Sequence, residues 1–265
     1  MEREYNIAAV GDNCMDIYDR TGKAYPGGNP VNVAVYTVRL GGRASYTGAV
    51  GSDRYGDLMR SAIASKGVNV SHLRTVPGST AVTHVDIKNG ERIFGHYDEG
   101  VMADFQLTPE DIDFLCSHDL VVTGLWGHAE GDLPTLKARG VPVAFDFADK
   151  RDSPIVNLAM PYVDYAFFSY DDGTEEELHS FLRSVRSRGP RVAVATRGAL
   201  GSIAFDGDCF YQQSAVPCTV SDTMGAGDSF IAGFLFGLLQ GKSIPQCMSM
   251  GAESSSVTLQ YFGAW

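Results

Sequence analysis

Short apolar runs punctuated by glycine dominate the first fifty residues. Asn6 to Val10 is apolar and stops at Gly11-Asp12, which predicts a buried strand ending in a turn. The stretch from Tyr18 to Tyr25 is polar and turn-rich, and Gly27-Gly28-Asn29-Pro30 is a sharp break. Beyond it Val31, Ala34, Val35 and Val38 fall at helical spacing, and Gly41-Gly42 supplies the stop. Tyr46 to Gly51 reads as a strand, and Asp57 to Lys66 as a helix closed by Gly67. Ala81 to Ile87 and Arg92 to Tyr97 alternate on either side of Asn89-Gly90, the pattern of a β-hairpin.

From about residue 108 the pattern changes to strands alternating with helices. The strands are expected at Leu120 to Thr123, Val143 to Phe147, Tyr165 to Phe168 and Arg191 to Thr196. Thr108-Pro109 is a helix start, with an N-cap hydroxyl and a proline in the first turn. Ser214 to Val220 is a further expected strand, Phe230 to Leu239 a helix, and Cys247 to Val257 a late helix. Glu175-Glu176-Glu177 reads as the solvated first turn of a helix, where acidic groups suit the dipole, with metal binding the lesser alternative. Such alternation implies an α/β fold: a central, mostly parallel sheet with helices on both faces.

Composition narrows the function. The chain of 265 residues carries 21 basic and 32 acidic side chains, a net charge of −11, which disfavours nucleic acid as a partner. The five cysteines include no C-x-x-C pair, so a reducing, cytoplasmic setting is expected. The first residues lack the apolar core of a signal peptide, and the run Phe230 to Leu239 is too short to cross a bilayer, so no membrane partner is expected.

The densest chemistry lies in Asp222-Thr-Met-Gly-Ala-Gly-Asp-Ser229, just ahead of an apolar helix. Gly225, Ala226 and Gly227 let the backbone approach a ligand closely, and their N–H groups sit where a helix dipole favours an anion. Asp228 places a carboxylate in the same turn. An anion cradle beside a base is what phosphoryl transfer to an alcohol requires. A bare G-x-G could equally be a glycine-rich helix cap.

The full string resembles the D-T-x-G-A-G-D signature of the ribokinase-type (PfkB) carbohydrate kinases. Gly27-Gly28, Asn32, Ala34 and Leu40-Gly41 resemble that family's first signature, G-G-x-x-x-N-x-A ending in L-G. Within the family, Gly11 to Tyr18, Gly28 to Tyr36, Glu99 to Phe105, Trp126 to Glu130, Asp222 to Phe234 and Gln260 to Trp265 are similar to the short bacterial kinases of fructosyl amino acids. The resemblance implies one ribokinase-like domain over 1–265, with a small β lid from about 17–25 and 81–97. It implies ATP and Mg2+ as cofactors, and transfer of phosphate to the 6-hydroxyl of a fructosyl amino acid.

Residue by residue, it makes Asp228 the catalytic base and Gly225, Ala226 and Gly227 the anion hole. It makes Asp16, Gly28 and Asn32 sugar contacts; read alone, Asp16 is a turn residue and Asn32 a helix-start residue. Thr196, Gly198 and Gly201 match the family's T-x-G-x-x-G turn beside the nucleotide, which Gly225 and Gly227 also approach. Arg92 and Tyr97, with Glu99, Trp126 and His128, are candidates for the rim of the substrate pocket, where an amino-acid conjugate needs charged and aromatic groups.

Two departures stand out. The N-x-x-E motif that organises magnesium in many members is absent; the corresponding stretch is Phe168-Ser-Tyr-Asp-Asp-Gly173, so the metal ligands stay open, with Asp146 and Asp149 as candidates. The span between Asp12 and Gly27 is short, so only a small lid fits, and its exposed sheet invites a homodimer. Three alternatives remain: a kinase for another sugar, a kinase for a nucleoside, and a non-catalytic sugar or nucleotide sensor on the same fold. A nicotinamide enzyme and a serine hydrolase are disfavoured, because neither G-x-G-x-x-G after the first strand nor G-x-S-x-G occurs.

Overall fold

The computed structural model describes residues 4–88 and 91–265, with backbone only for 87, 88 and 91–94. The chain opens with β1 (Asn6–Val10), β2 (Cys14–Tyr18), β3 (Lys23–Gly27), α1 (Asn29–Arg39), β4 (Arg43–Gly51), α2 (Arg54–Ser65) and β5 (Asn69–Val76). Next come β6 (Val82–Lys88), β7 (Glu91–Asp98), α3 (Pro109–Cys116), β8 (Leu120–Gly124), α4 (Leu133–Ala138) and β9 (Val143–Asp146). They are followed by α5 (Pro154–Ala159), β10 (Tyr165–Ser169), α6 (Glu175–Arg186), β11 (Val192–Thr196), β12 (Ser202–Phe205) and β13 (Phe210–Gln213). Two helices, α7 (Ala226–Leu239) and α8 (Ile244–Thr258), complete it.

Nine strands form one sheet in the order β13-β12-β11-β10-β9-β8-β1-β4-β5, and four form a second in the order β3-β2-β6-β7. The large sheet is parallel from β5 to β11 and antiparallel only at β12 and β13. Its two faces are covered by separate apolar layers. Alternation along β1 sends Ala8 and Val10 to the layer containing Leu133, Phe145, Phe168 and Leu178, and Ile7 and Ala9 to the layer containing Val31, Tyr36, Phe234 and Met248. Strand order reverses between β1 and β8, and in open α/β sheets the crevice at that reversal is where ligands bind.

Two expectations change. The polar stretch Tyr18 to Tyr25 does hold a turn, at residues 19–22, but its ends are strand, and the small sheet reaches back to Cys14 in β2 and on to Gly27 in β3. Ser214 to Val220 is irregular, and the strand lies just before it, as β13. Pro217 lacks the ladder donor, and β13 already occupies the sheet edge beside β12. The Asn89-Gly90 turn lies outside the described residues, although β6 and β7 pair antiparallel up to it.

The acidic run is a helix start: Thr174 and Glu177 form a capping box at α6. Thr108 and Asp111 form another at α3. All five cysteines are free thiols among the described residues. Among those residues no helix is long and apolar enough to cross a membrane.

Candidate active site

The sheet reversal brings together residues far apart in sequence. Gly11 follows β1 with φ +125°, and a Cβ there would lie 2.5 Å from the Cα of Gly127, so only glycine lets the β1 and β8 loops touch. Asp12 follows in that turn. The backbone N–H of Asn29, the first residue of α1, donates to Asp12 Oδ2 at 3.2 Å. The Asn29 side chain is the hub: its Nδ2 donates to Asp146 Oδ2 at 2.8 Å and to Asp228 Oδ1 at 2.6 Å. The second oxygen of Asp228 accepts from Asn32 Nδ2 at 2.6 Å, and Asn32 Oδ1 accepts from Trp265 Nε1 at 2.7 Å. The indole thus fixes which way the Asn32 amide faces, and so which atom it offers to Asp228.

These contacts gather three carboxylates, each pushed up chiefly by burial. Asp228 rises to about 6, held down in part by Asn32 and Asn29. Asp12 and Asp146 each rise to about 7, and the nearby charge of Asp228 adds to both shifts. Asp228 differs from the other two in accepting two side-chain amide bonds, which favour its ionised form against the burial that opposes it.

Gly225 caps α7 in the left-handed conformation, φ +73°, packed so closely that a Cβ would run into the Tyr36 hydroxyl. That hydroxyl donates to the Ala264 carbonyl. The Ala226 N–H is turned to Thr223 O at 3.3 Å, whereas the N–H groups of Gly227 and Asp228 have no acceptor among the described residues. Open space surrounds the Gly227 Cα, so neither backbone angle nor packing demands glycine there. Donors facing open space at the start of a 14-residue helix are what an incoming anion needs. Asp222, which opens the motif, accepts from Met224 N and Gly263 N and so ties this turn to the tail carrying Trp265.

In the small sheet, Asp16 is buried in β2, and Gly27 lies against it: a Cβ at Gly27 would come within 2.7 Å of Asp16 Oδ2. Gly28, φ +114°, lets the start of α1 press on the backbone of Asp12 and Asn13, which accounts for this glycine without any ligand. Half-buried Tyr97 on β7 has its hydroxyl pKa raised by burial and then by the charge of Asp12. The side chain of Arg92 lies outside the described residues. His128, φ +52°, bonds Glu99 Oε2 at 3.1 Å, and Trp126 stands 39% exposed beside it.

Thr196, Gly198 and Gly201 sit together at the turn between β11 and β12. Gly198 (φ +53°) faces open space toward Asp171, but Gly201 (φ +88°) is held by packing against the β13 backbone. Leu200 in this turn, Val220 in the loop after β13 and Val257 on α8 are exposed apolar residues.

Asp149 is exposed and paired with Lys150 at 2.9 Å, so it does not join the carboxylate set, whereas Asp146 does. Hard cations need oxygens with spare lone pairs, and Asp12 Oδ1 and Asn29 Oδ1 are buried without a partner. No group of three His, Cys, Asp or Glu among the described residues could hold a metal by itself. The donor set therefore fits magnesium carried largely by phosphate and water, not a protein cage.

Asn29, Asp12 and Trp265 were not singled out by sequence. The available signal was the pair Asn29 and Asn32, three residues apart, which falls on one face once α1 is seen to start at Asn29 and not beyond Pro30.

A doubly wound α/β sheet with a half-buried carboxylate beside unpartnered N–H groups at its switch point has the layout that a kinase of small alcohols needs. The comparisons agree: the model for the pfkB family carbohydrate kinases matches residues 4–265, and the chain belongs to that family. It is 46% identical over 259 residues to a fructoselysine 6-kinase of Shigella flexneri, covering 98% of this chain and 99% of that one. It is 36% identical to a fructosamine kinase of Bacillus subtilis (strain 168), covering 98% and 92%. The structure of Arabidopsis thaliana ribokinase complexed with ribose and ATP superposes with a TM-score of 0.90 at 23% identity, covering 98% of this chain and 94% of that one. The chain is thus an ATP-dependent carbohydrate kinase.

Proposed function

We propose that this kinase phosphorylates the 6-hydroxyl of fructoselysine or a close fructosyl amino acid. The observation that carries the chemistry is Asp228, bonded by two asparagine amides and set in the first turn of α7 beside unpartnered N–H groups. The conjugate is supported by the 46% identity to fructoselysine 6-kinase over nearly the whole chain.

In this reading the sugar lies between the small sheet and the ends of β1 and β8. Asp16 accepts bonds from its hydroxyls, and Asn32 borders it while holding Asp228. Asp228 takes the proton of the 6-hydroxyl as that oxygen attacks the γ-phosphorus. The N–H groups at Gly227 and Asp228 receive the charge on the transferred phosphoryl. ATP binds along the Thr196–Gly201 turn, with Leu200, Val220 and Val257 offering apolar surface to the base. Magnesium supplies charge neutralisation on the phosphates when bound, and Asp12 and Asp146 are the residues placed to hold its waters. The small sheet closes over the sugar and excludes water, and its outer face is the expected homodimer contact.

The test is ADP release with ATP and magnesium across fructoselysine, other fructosyl amino acids, fructose, ribose and adenosine. Selective turnover of a fructosyl amino acid is expected. Turnover confined to a plain sugar or nucleoside would discard the conjugate and keep the kinase chemistry. Asp16→Ala should raise the sugar KM about tenfold or more, as loss of a charged acceptor does, with a smaller change in kcat. An unchanged sugar KM would remove Asp16 from the sugar site.

A further inference from the structure

Beside the carboxylate set lies a cavity of about 550 Å³, walled by the loops after β8 and β9. It joins the site directly. Gly124, next to the lining residue Leu125, abuts the Asn29 side chain; Gly127, next to the lining residue His128, packs against Gly11 beside Asp12; and lining Asp149 follows Asp146 by three residues. Its lining is divided by chemistry. Leu125, Trp126 and Ile155 are apolar, while Arg151 and Asp152 are charged. Arg151 is held in advance: its guanidinium lies 4.3 Å from the centre of the Tyr170 ring, and one Nη donates to Asp172 Oδ1 at 2.8 Å. An arginine has five N–H donors, so this leaves a fixed fork with donors to spare. The other acids of the cavity are engaged, Asp149 by Lys150 and Glu99 by His128. Asp152 is exposed and has no ion-pair partner among the described residues.

We infer that this cavity is the subsite for the amino-acid end of the substrate, an inference resting on the fructosyl-amino-acid reading above. If the 6-hydroxyl sits at Asp228, the amine substituent leaves the sugar from its far end, at C1. In fructoselysine that substituent is four methylenes ending in an α-ammonium and an α-carboxylate. The apolar wall of Trp126, Leu125 and Ile155 covers the methylenes, Arg151 receives the carboxylate, and Asp152 receives the ammonium. The lock is therefore for an ε-linked lysine, whose zwitterion lies a full side chain away from the sugar; an α-linked conjugate would place its carboxylate against the apolar wall.

The test compares kcat/KM for fructoselysine with that for fructosyl-n-pentylamine, which keeps the four methylenes and ends in a methyl in place of the zwitterion. The wild-type enzyme is expected to favour fructoselysine by about tenfold or more, and Arg151→Gln to remove most of that preference. Asp152→Asn, at an exposed position that the fold does not depend on, should remove a smaller part. Equal wild-type kcat/KM for the two compounds, or a preference untouched by both substitutions, overturns the subsite while leaving the fructosyl-amine activity standing. Failure of both compounds alongside turnover of fructose overturns that activity, and the subsite with it.

Discussion

Asp228→Asn is expected to cut kcat by about 10²-fold or more at pH 7 with the fold intact. The size follows from what the side chain does. An amide of the same shape still fills the space between Asn29 and Asn32 but cannot take a proton, so the sugar oxygen must attack as a neutral hydroxyl. The fold should survive because two effects offset: one acceptor for the asparagine amides is lost, and a charge held in a buried site is removed. Binding should survive as well, since Asp16 and the Thr196–Gly201 turn are untouched. The check is steady-state kinetics beside a thermal melt and ATP binding. Near-normal kcat in a folded, ATP-binding variant would exclude Asp228 as the base.

Asp228 was legible in the sequence because its chemistry is local. Glycines, small residues and a carboxylate at a helix start occupy eight consecutive positions, and the α/β layering followed from alternating periods. The partners of Asp228 were not legible, because what makes them partners is the topology. Asn29 and Asp146 are 117 residues apart, and Asn29 and Asp228 are 199 apart. Only the strand order, with β1 and β9 on either side of β8, places them in one cluster. The strands β2 and β3 were hidden for a different reason: buried Asp16 breaks the apolar alternation of a half-buried strand, and Pro26 lies inside β3. A strand that buries a carboxylate cannot also carry a clean hydrophobic pattern. Ser214 to Val220 erred in the opposite direction, since apolar residues suggested a ladder that Pro217 interrupts.

The acidic limb of the pH profile carries the second large effect. With Asp228 raised to about 6, the wild-type rate should be nearly full at pH 7 and fall about tenfold per unit below pH 6 as the base gains its proton. Asn29→Leu keeps the size of the side chain and leaves the backbone bond to Asp12 in place, but removes the amide that donates to Asp146 and Asp228 together. Two carboxylates would then face each other without a donor between them. Burial and like charge both favour the protonated form, so the base should titrate higher than in the wild type, and the Asp146–Asp228 pair should titrate as a coupled unit. At pH 7 the variant should be about 10-fold to 100-fold slower, with much of the loss recovered by pH 8.5, because raising the pH restores the ionised base but not a broken fold. A rate that is equally depressed at every pH would mean that Asn29 acts by orienting the substrate and not by holding the base ionised. An unshifted limb with normal kcat would mean that the contact is incidental. Because Asn32, through Trp265, still holds the other oxygen of Asp228, the defect should be smaller than that of Asp228→Asn, and this ordering separates the group that takes the proton from the group that keeps it ready to do so.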